Sequence, residues 1–195
     1  MNKRCFWHAV AVLGLLPLGL GAAMATPLPR VQIQTSLGTM EAELYADKVP
    51  RTVDNFVQYV KDKHYDGTVF HRVIASFMVQ GGGYDVRYQQ KPTRAPIPHE
   101  GRAATAAGLK NTVGTLSMAR TNDPHSATAQ FFINVVDNAF LDPTQNQWGY
   151  TVFGKVTSGM DVLQKIRQTP TGSGGPFPGD VPRTPVIIHS ITLLP

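Results

Sequence analysis

The sequence predicts a mainly β fold, a closed antiparallel barrel capped by two α-helices, and three observations support it. Short segments rich in β-branched and aromatic residues recur at even spacing with turn residues between them. Only two stretches carry the apolar spacing of an amphipathic helix, one after the opening pair of strands and one before the last strand. At 195 residues the chain suits one domain with a well-buried core and is too short for two ordinary domains plus a linker. Closure then pairs the first strand with the last.

The elements follow in order. Val31–Ser36 turns Val31 and Ile33 inward, Gly38 reverses the chain, and Met40–Tyr45 alternates again through Ala42 and Leu44, which makes a hairpin. Pro50 starts a helix, because its fixed φ suits the first turn, and Val53, Phe56, Val57 and Val60 form one apolar stripe. Tyr65-Asp66-Gly67 turns the chain into two further strands, Thr68–Val73 and Phe77–Gln80, which end before Gly81-Gly82-Gly83. From there to Gly114 the chain is polar and glycine-rich. A connection of about 30 residues exceeds the usual loop, so it is expected to be functional or partly structured, with a short strand near Ile97–Glu100. Thr115–Ala119, Gln130–Val135 and Tyr150–Val156 are the next strands. Ser158 and Asp161 resemble a capping box for a second short helix whose apolar face is Met160, Leu163 and Ile166. Thr169–Pro185 is dominated by Pro and Gly and delivers the chain to a last strand, Val186–Leu194.

The first residues have a different origin. Lys3 and Arg4 precede an apolar run from about Ala9 to Leu20, and small residues end at Ala23-Met24-Ala25. This is the pattern of a secretory signal peptide over residues 1–25, cleaved to leave a domain of residues 26–195. The run is about a dozen residues where a spanning helix takes roughly 20, so no stable membrane anchor is expected. Cys5, the only cysteine, lies within the removed segment, so the mature chain folds in an oxidising compartment without mispairing. Losing Lys3 and Arg4 lowers the formal charge from +5 to +3. That weak balance, with Lys and Arg scattered singly from Arg30 to Arg183, does not predict nucleic-acid binding.

Function enters through four motifs. They are Phe70-His71-Arg72-Val73-Ile74-Ala75-Ser76-Phe77-Met78-Val79-Gln80-Gly81-Gly82, Gly114-Thr115-Leu116-Ser117-Met118-Ala119-Arg120, the Ser126–Ile133 segment with Gln130-Phe131-Phe132-Ile133, and Val152-Phe153-Gly154-Lys155-Val156. In this order and spacing the chain resembles the cyclophilins, peptidyl-prolyl cis/trans isomerases, from about Val31 to Leu194. The resemblance implies an eight-stranded barrel with two helices, no metal or other cofactor, and proline-containing polypeptides as partners. Among these, exported proteins that are unfolded or still folding are the expected clients.

The chemistry accounts for the residue types. Rotation about an X-Pro bond is opposed by about 18–20 kcal/mol, because the nitrogen lone pair is delocalised into the carbonyl. No covalent bond need break. A catalyst has only to favour the twisted state, in which the proline nitrogen accepts a hydrogen bond, and an arginine stays charged and presents several donors at once. Arg72 lies at the position of the family's catalytic arginine, with Gln80 as the glutamine that steadies the substrate carbonyl and the arginine. Phe77, Met78 and Phe132 match the proline pocket, with Leu141 on its rim. Ala119, Arg120, Phe140 and Tyr150 complete the expected substrate-binding set.

Two departures resemble bacterial exported members. Phe140 stands where many cyclophilins have Trp, and Tyr150 where they have His. In cyclosporin-sensitive members that Trp donates its indole N–H to the inhibitor, so cyclosporin-like cyclic peptides are expected to bind this chain weakly. Arg120 replaces a common Asn at a position the family uses through its backbone. Elsewhere, Gly81-Gly82-Gly83 lacks the Lys-Ser or Lys-Thr of a phosphate loop, the six histidines lack metal-ligand spacing, and no Gly-x-Ser-x-Gly elbow is present. His71 reads as structural rather than as a general base. The alternative to an enzyme is a module that holds proline-containing segments with little turnover; it is disfavoured because Arg72, Gln80 and the pocket aromatics are retained.

Overall fold

The computed structural model describes residues 27–195; the expected signal peptide lies outside the described residues. The opening hairpin forms from β1 (Arg30–Thr35) and β2 (Gly38–Leu44), with Ile33 opposite Met40 and the side chains of Val31, Ile33, Met40, Ala42 and Leu44 buried. Helix α1 (Pro50–Lys61) begins at its proline as expected, with Val53, Phe56 and Val60 buried, Val57 partly buried against the core, and Tyr59 buried beside them. Tyr59 stays buried because its hydroxyl accepts from the Arg94 amide at 2.7 Å. No local side chain caps α1. Glu100 does so from the long connection, accepting from the Thr52 amide at 2.8 Å, so a carboxylate meets the positive end of the helix.

Strands β3 (Thr68–Ile74) and β4 (Met78–Asp85) follow, and β4 runs through the three glycines instead of stopping before them. Close approach is the reason. A Cβ on Gly81 would lie 2.9 Å from the Phe70 ring, and one on Gly82 2.8 Å from the Tyr65 ring. In the long connection the expected strand near Ile97 is a single bridge to Ala127, followed by a third helix, α2 (Gly101–Ala106), in an alanine-rich stretch. Then come β5 (Thr115–Met118), β6 (Phe131–Asn134), a 3-10 turn (Ala139–Leu141), β7 (Val152–Ser158) and α3 (Met160–Arg167).

The capping box expected at α3 does not form. Ser158 is still paired with Glu41 in the sheet, and Gly159, at φ +82°, turns the chain straight into the helix. The Pro/Gly-rich segment is itself a hairpin, β8 (Thr171–Gly174) with β9 (Phe177–Pro182), before the last strand β10 (Ile187–Leu193).

Eight strands close in the order β1-β10-β3-β4-β6-β5-β7-β2, first on last as expected, with β8–β9 a separate two-stranded sheet. The interior is filled. Phe56 from α1 meets Phe131 edge-on at 5.5 Å and Phe153 at 5.0 Å, and Tyr65 meets Phe131 at 5.5 Å. A ligand must therefore bind outside the barrel. Strand alternation supplies that outer surface: Val79, Phe131 and Ile133 point inward, while Met78 and Phe132 join a separate apolar cluster with Leu141.

Candidate active site

The outer cluster lies on three adjacent strands whose register aligns Arg72 with Gln80 and Gln80 with Phe132. Next to this row is a cleft of about 240 Å³ lined by Arg72, Phe77, Met78, Gln80, Ala119, Arg120, Phe132, Leu141 and Tyr150. The fold thus brings nine of the ten expected residues to one place. Phe140 is outside this lining: it is 65% exposed and stacks on Phe77 at 5.5 Å.

One end of the cleft is apolar. Met78 and Phe132 are almost fully buried, and Tyr150 packs its ring on Phe132 edge-on at 5.5 Å. The other end carries the cations. The Arg72 side chain is exposed and makes no hydrogen bond among the described residues; its one ionic partner there is Asp180, whose Oδ2 is 3.7 Å from Nε. Its donors are free for a ligand. Gln80 donates from Nε2 to Gln130 Oε1 at 3.0 Å, which fixes the amide and leaves its own oxygen available. Arg120 does more than lend its backbone. Its guanidinium lies 4.8 Å from the centre of the Tyr150 ring and donates to the Gly149 carbonyl at 2.9 Å, so it braces that wall.

Behind the apolar floor runs a buried polar network absent from the expected set. Asn138 donates to the Phe77 carbonyl at 2.9 Å and to Asn134 Oδ1 at 2.7 Å. Asn134 donates in turn to Asn111 Oδ1 at 3.2 Å, and Asn111 donates to Asp142 Oδ1 at 2.8 Å. These bonds tie β6 to Phe77 and to the turn that carries Phe140 and Leu141. Gln130 was within reach of sequence reasoning, since Gln130, Phe132 and Asn134 alternate with the buried Phe131 and Ile133. Asp180 left no such signal, being placed by a hairpin in a segment that reads as Pro/Gly.

His71 is not among the residues lining this cleft. It is 3% exposed, stacked on Phe177 at 5.3 Å, and its Nδ1 has no partner. Burial, reinforced by the Arg72 charge and opposed by a backbone contact at Val69, lowers its pKa to about 4, so it is neutral at ordinary pH. His99, which shares the Gly149 carbonyl with Arg120, is also pushed down, mainly by burial.

The barrel interior is filled, and the outer cleft sets an exposed arginine beside an apolar well. The chain belongs to the cyclophilin type peptidyl-prolyl cis-trans isomerase family, whose model matches residues 30–193. It is an enzyme, a peptidyl-prolyl cis-trans isomerase. It is 53% identical to a peptidyl-prolyl cis-trans isomerase of Streptomyces antibioticus over 167 residues, covering 84% of this chain and 98% of that one. It is 47% identical to peptidyl-prolyl cis-trans isomerase A of Dickeya dadantii over 194 residues, covering 100% and 99%. A crystal structure of a cyclophilin type isomerase from Cryptosporidium parvum, obtained in the presence of the dipeptide Ala-Pro, superposes with a TM-score of 0.68 at 25% identity, covering 85% of this chain and 99% of that one.

Proposed function

We propose that Arg72 carries the catalysis by donating to the proline nitrogen as the X-Pro bond twists out of plane. In the planar ground state the nitrogen lone pair is conjugated and accepts poorly; in the twisted state it becomes an acceptor, so a fixed donor there stabilises the transition state selectively. The proline ring occupies the well of Phe77, Met78, Phe132 and Leu141. Gln80, held by Gln130, orients the substrate carbonyl and the guanidinium, while Ala119 and Arg120 bind the preceding segment through their backbone and Tyr150 walls the cleft. The observation that carries this reading is the strand register that sets Arg72 opposite Gln80 beside the apolar well. Arg72→Ala tests it. The variant should lose at least about tenfold in kcat/KM on a short X-Pro peptide, about 1.4 kcal/mol of transition-state binding, with Tm nearly unchanged. A folded variant with full activity would refute it.

The substrates are proline-containing polypeptides, a reading in keeping with the Ala-Pro dipeptide used with the Cryptosporidium parvum protein. We place the enzyme in the periplasm, acting on exported proteins as they fold. Lys3, Arg4, the short apolar run and Ala23-Met24-Ala25 support export, and the family match begins at Arg30, beyond them. Mass spectrometry of the cell's own soluble protein should find a mature end at Thr26; an intact Met1 end would overturn the assignment.

A further inference from the structure

The β8–β9 hairpin takes no part in closing the barrel. Its strand β9 packs over β3, with the Phe177 ring stacked on His71 at 5.3 Å and meeting Tyr84 edge-on at 5.1 Å. Between hairpin and barrel is a second cleft of about 400 Å³, lined by His71, Arg72, Phe177, Pro178, Gly179 and Asp180. Arg72 lines both this cleft and the proline cleft, so the two meet at one guanidinium. An extended chain advances about 3.3 Å per residue. A substrate whose X-Pro bond lies against Arg72 therefore brings a flanking residue over the second cleft within about two or three positions.

The lining has a definite chemistry. Phe177 and Pro178 make an apolar shelf, and at Gly179 the space is open, since a Cβ there would meet nothing within 4 Å. The shelf ends at the half-exposed carboxylate of Asp180, whose Oδ2 lies 3.7 Å from Arg72 Nε. Asp180 is the acidic residue among those lining the two clefts, whose other charges are Arg72 and Arg120. We propose that this second cleft is a subsite for a residue flanking the isomerised bond, selecting a long apolar stem with a cationic head, lysine or arginine. The stem lies on the Phe177–Pro178 shelf, and the head reaches the Asp180 carboxylate. This rests on the reading that the reacting bond lies at Arg72.

Asp180 has φ +64°, a left-handed conformation that asparagine also tolerates, so Asp180→Asn removes the charge without straining the hairpin. The experiment uses mature enzyme and peptides carrying a single lysine, norleucine or glutamate at each of three positions on either side of one X-Pro bond. At one position the wild-type enzyme should prefer lysine over norleucine by about two- to fivefold in kcat/KM at low salt, the yield of an exposed ion pair. Glutamate there should be disfavoured, 0.5 M salt should erase the preference, and Asp180→Asn should bring the lysine-to-norleucine ratio to about one. Taking the ratio within each protein cancels any change in rate common to all peptides. A ratio unchanged in Asp180→Asn, or no position with a lysine preference, overturns the subsite. Full turnover by Arg72→Ala would instead overturn the catalytic reading and leave the ratio to decide the subsite on its own.

Discussion

The floor of the proline cleft should be sensitive to Asn138, a residue that is not part of the cleft lining. Asn138 is 2% exposed, and its side-chain amide donates to the Phe77 carbonyl and to the buried Asn134 Oδ1. In Asn138→Ala the Phe77 carbonyl keeps the Val135 amide at 3.2 Å, whereas Asn134 Oδ1 is left without this donor. An unsatisfied buried polar group costs about 1–3 kcal/mol, so the substitution should destabilise the protein by about that much. At about 2–4 °C per kcal/mol for a domain of this size, Tm should fall by at least about 2 °C. Phe77 loses its side-chain link to the Ala139–Leu141 turn, so kcat/KM at a temperature where the variant is folded should also fall. Urea unfolding and a peptide isomerisation assay measure the two effects. A loss under about 0.5 kcal/mol with unchanged kcat/KM would show that the network neither holds the fold nor positions the floor.

Two further outcomes follow. His71 has its folded pKa near 4, below the ordinary 6.5, so the unfolded chain binds the proton more tightly; the stability this residue contributes is complete above about pH 6.5 and is lost as pH falls toward 4. From pH 7.5 to 4.5 the difference in unfolding free energy between wild type and His71→Phe should change by roughly 2–3 kcal/mol in favour of the variant, and parallel urea midpoints would contradict this. Phe140→Trp should tighten cyclosporin inhibition by about 5- to 150-fold by supplying an indole donor, while changing kcat/KM little because Phe140 lies outside the cleft lining; equal changes in both would refute the separation.

Much of this architecture was legible because period-two alternation and the apolar stripe of α1 are local signals. What escaped was set by contacts across the chain. Glu100 caps α1 from roughly 50 residues away, so no motif near Pro50 could announce it. The three glycines read as a strand terminator, whereas the Phe70 and Tyr65 rings pressing on β4 demand them within it. Ser158 and Asp161 fit a capping box in one dimension, yet the sheet keeps Ser158 and the glycine makes the turn. For the site, the motif residues converge as expected, while the asparagine network and Asp180 depend on turns whose polar residues look ordinary in sequence.

The location of the site follows from the same alternation that fills the barrel. Each inward Phe131 or Ile133 requires an outward neighbour, and on β4 and β6 those neighbours are Met78, Gln80 and Phe132, of which Met78 and Phe132 form an apolar cluster and Gln80 lines the cleft beside them. A sheet bonded on both sides is a stiff support, which suits a reaction that needs no proton shuttle or nucleophile but depends on a donor held at a fixed place. The stiffness has to come from the strands because the Arg72 side chain itself is lightly held, with one loose ionic contact and its donors unspent. A guanidinium saturated by protein acceptors would have little left to offer the twisted nitrogen. On the proposed role of Arg72, its open environment is what the mechanism requires, and the register of β3, β4 and β6 supplies the precision that its side chain lacks.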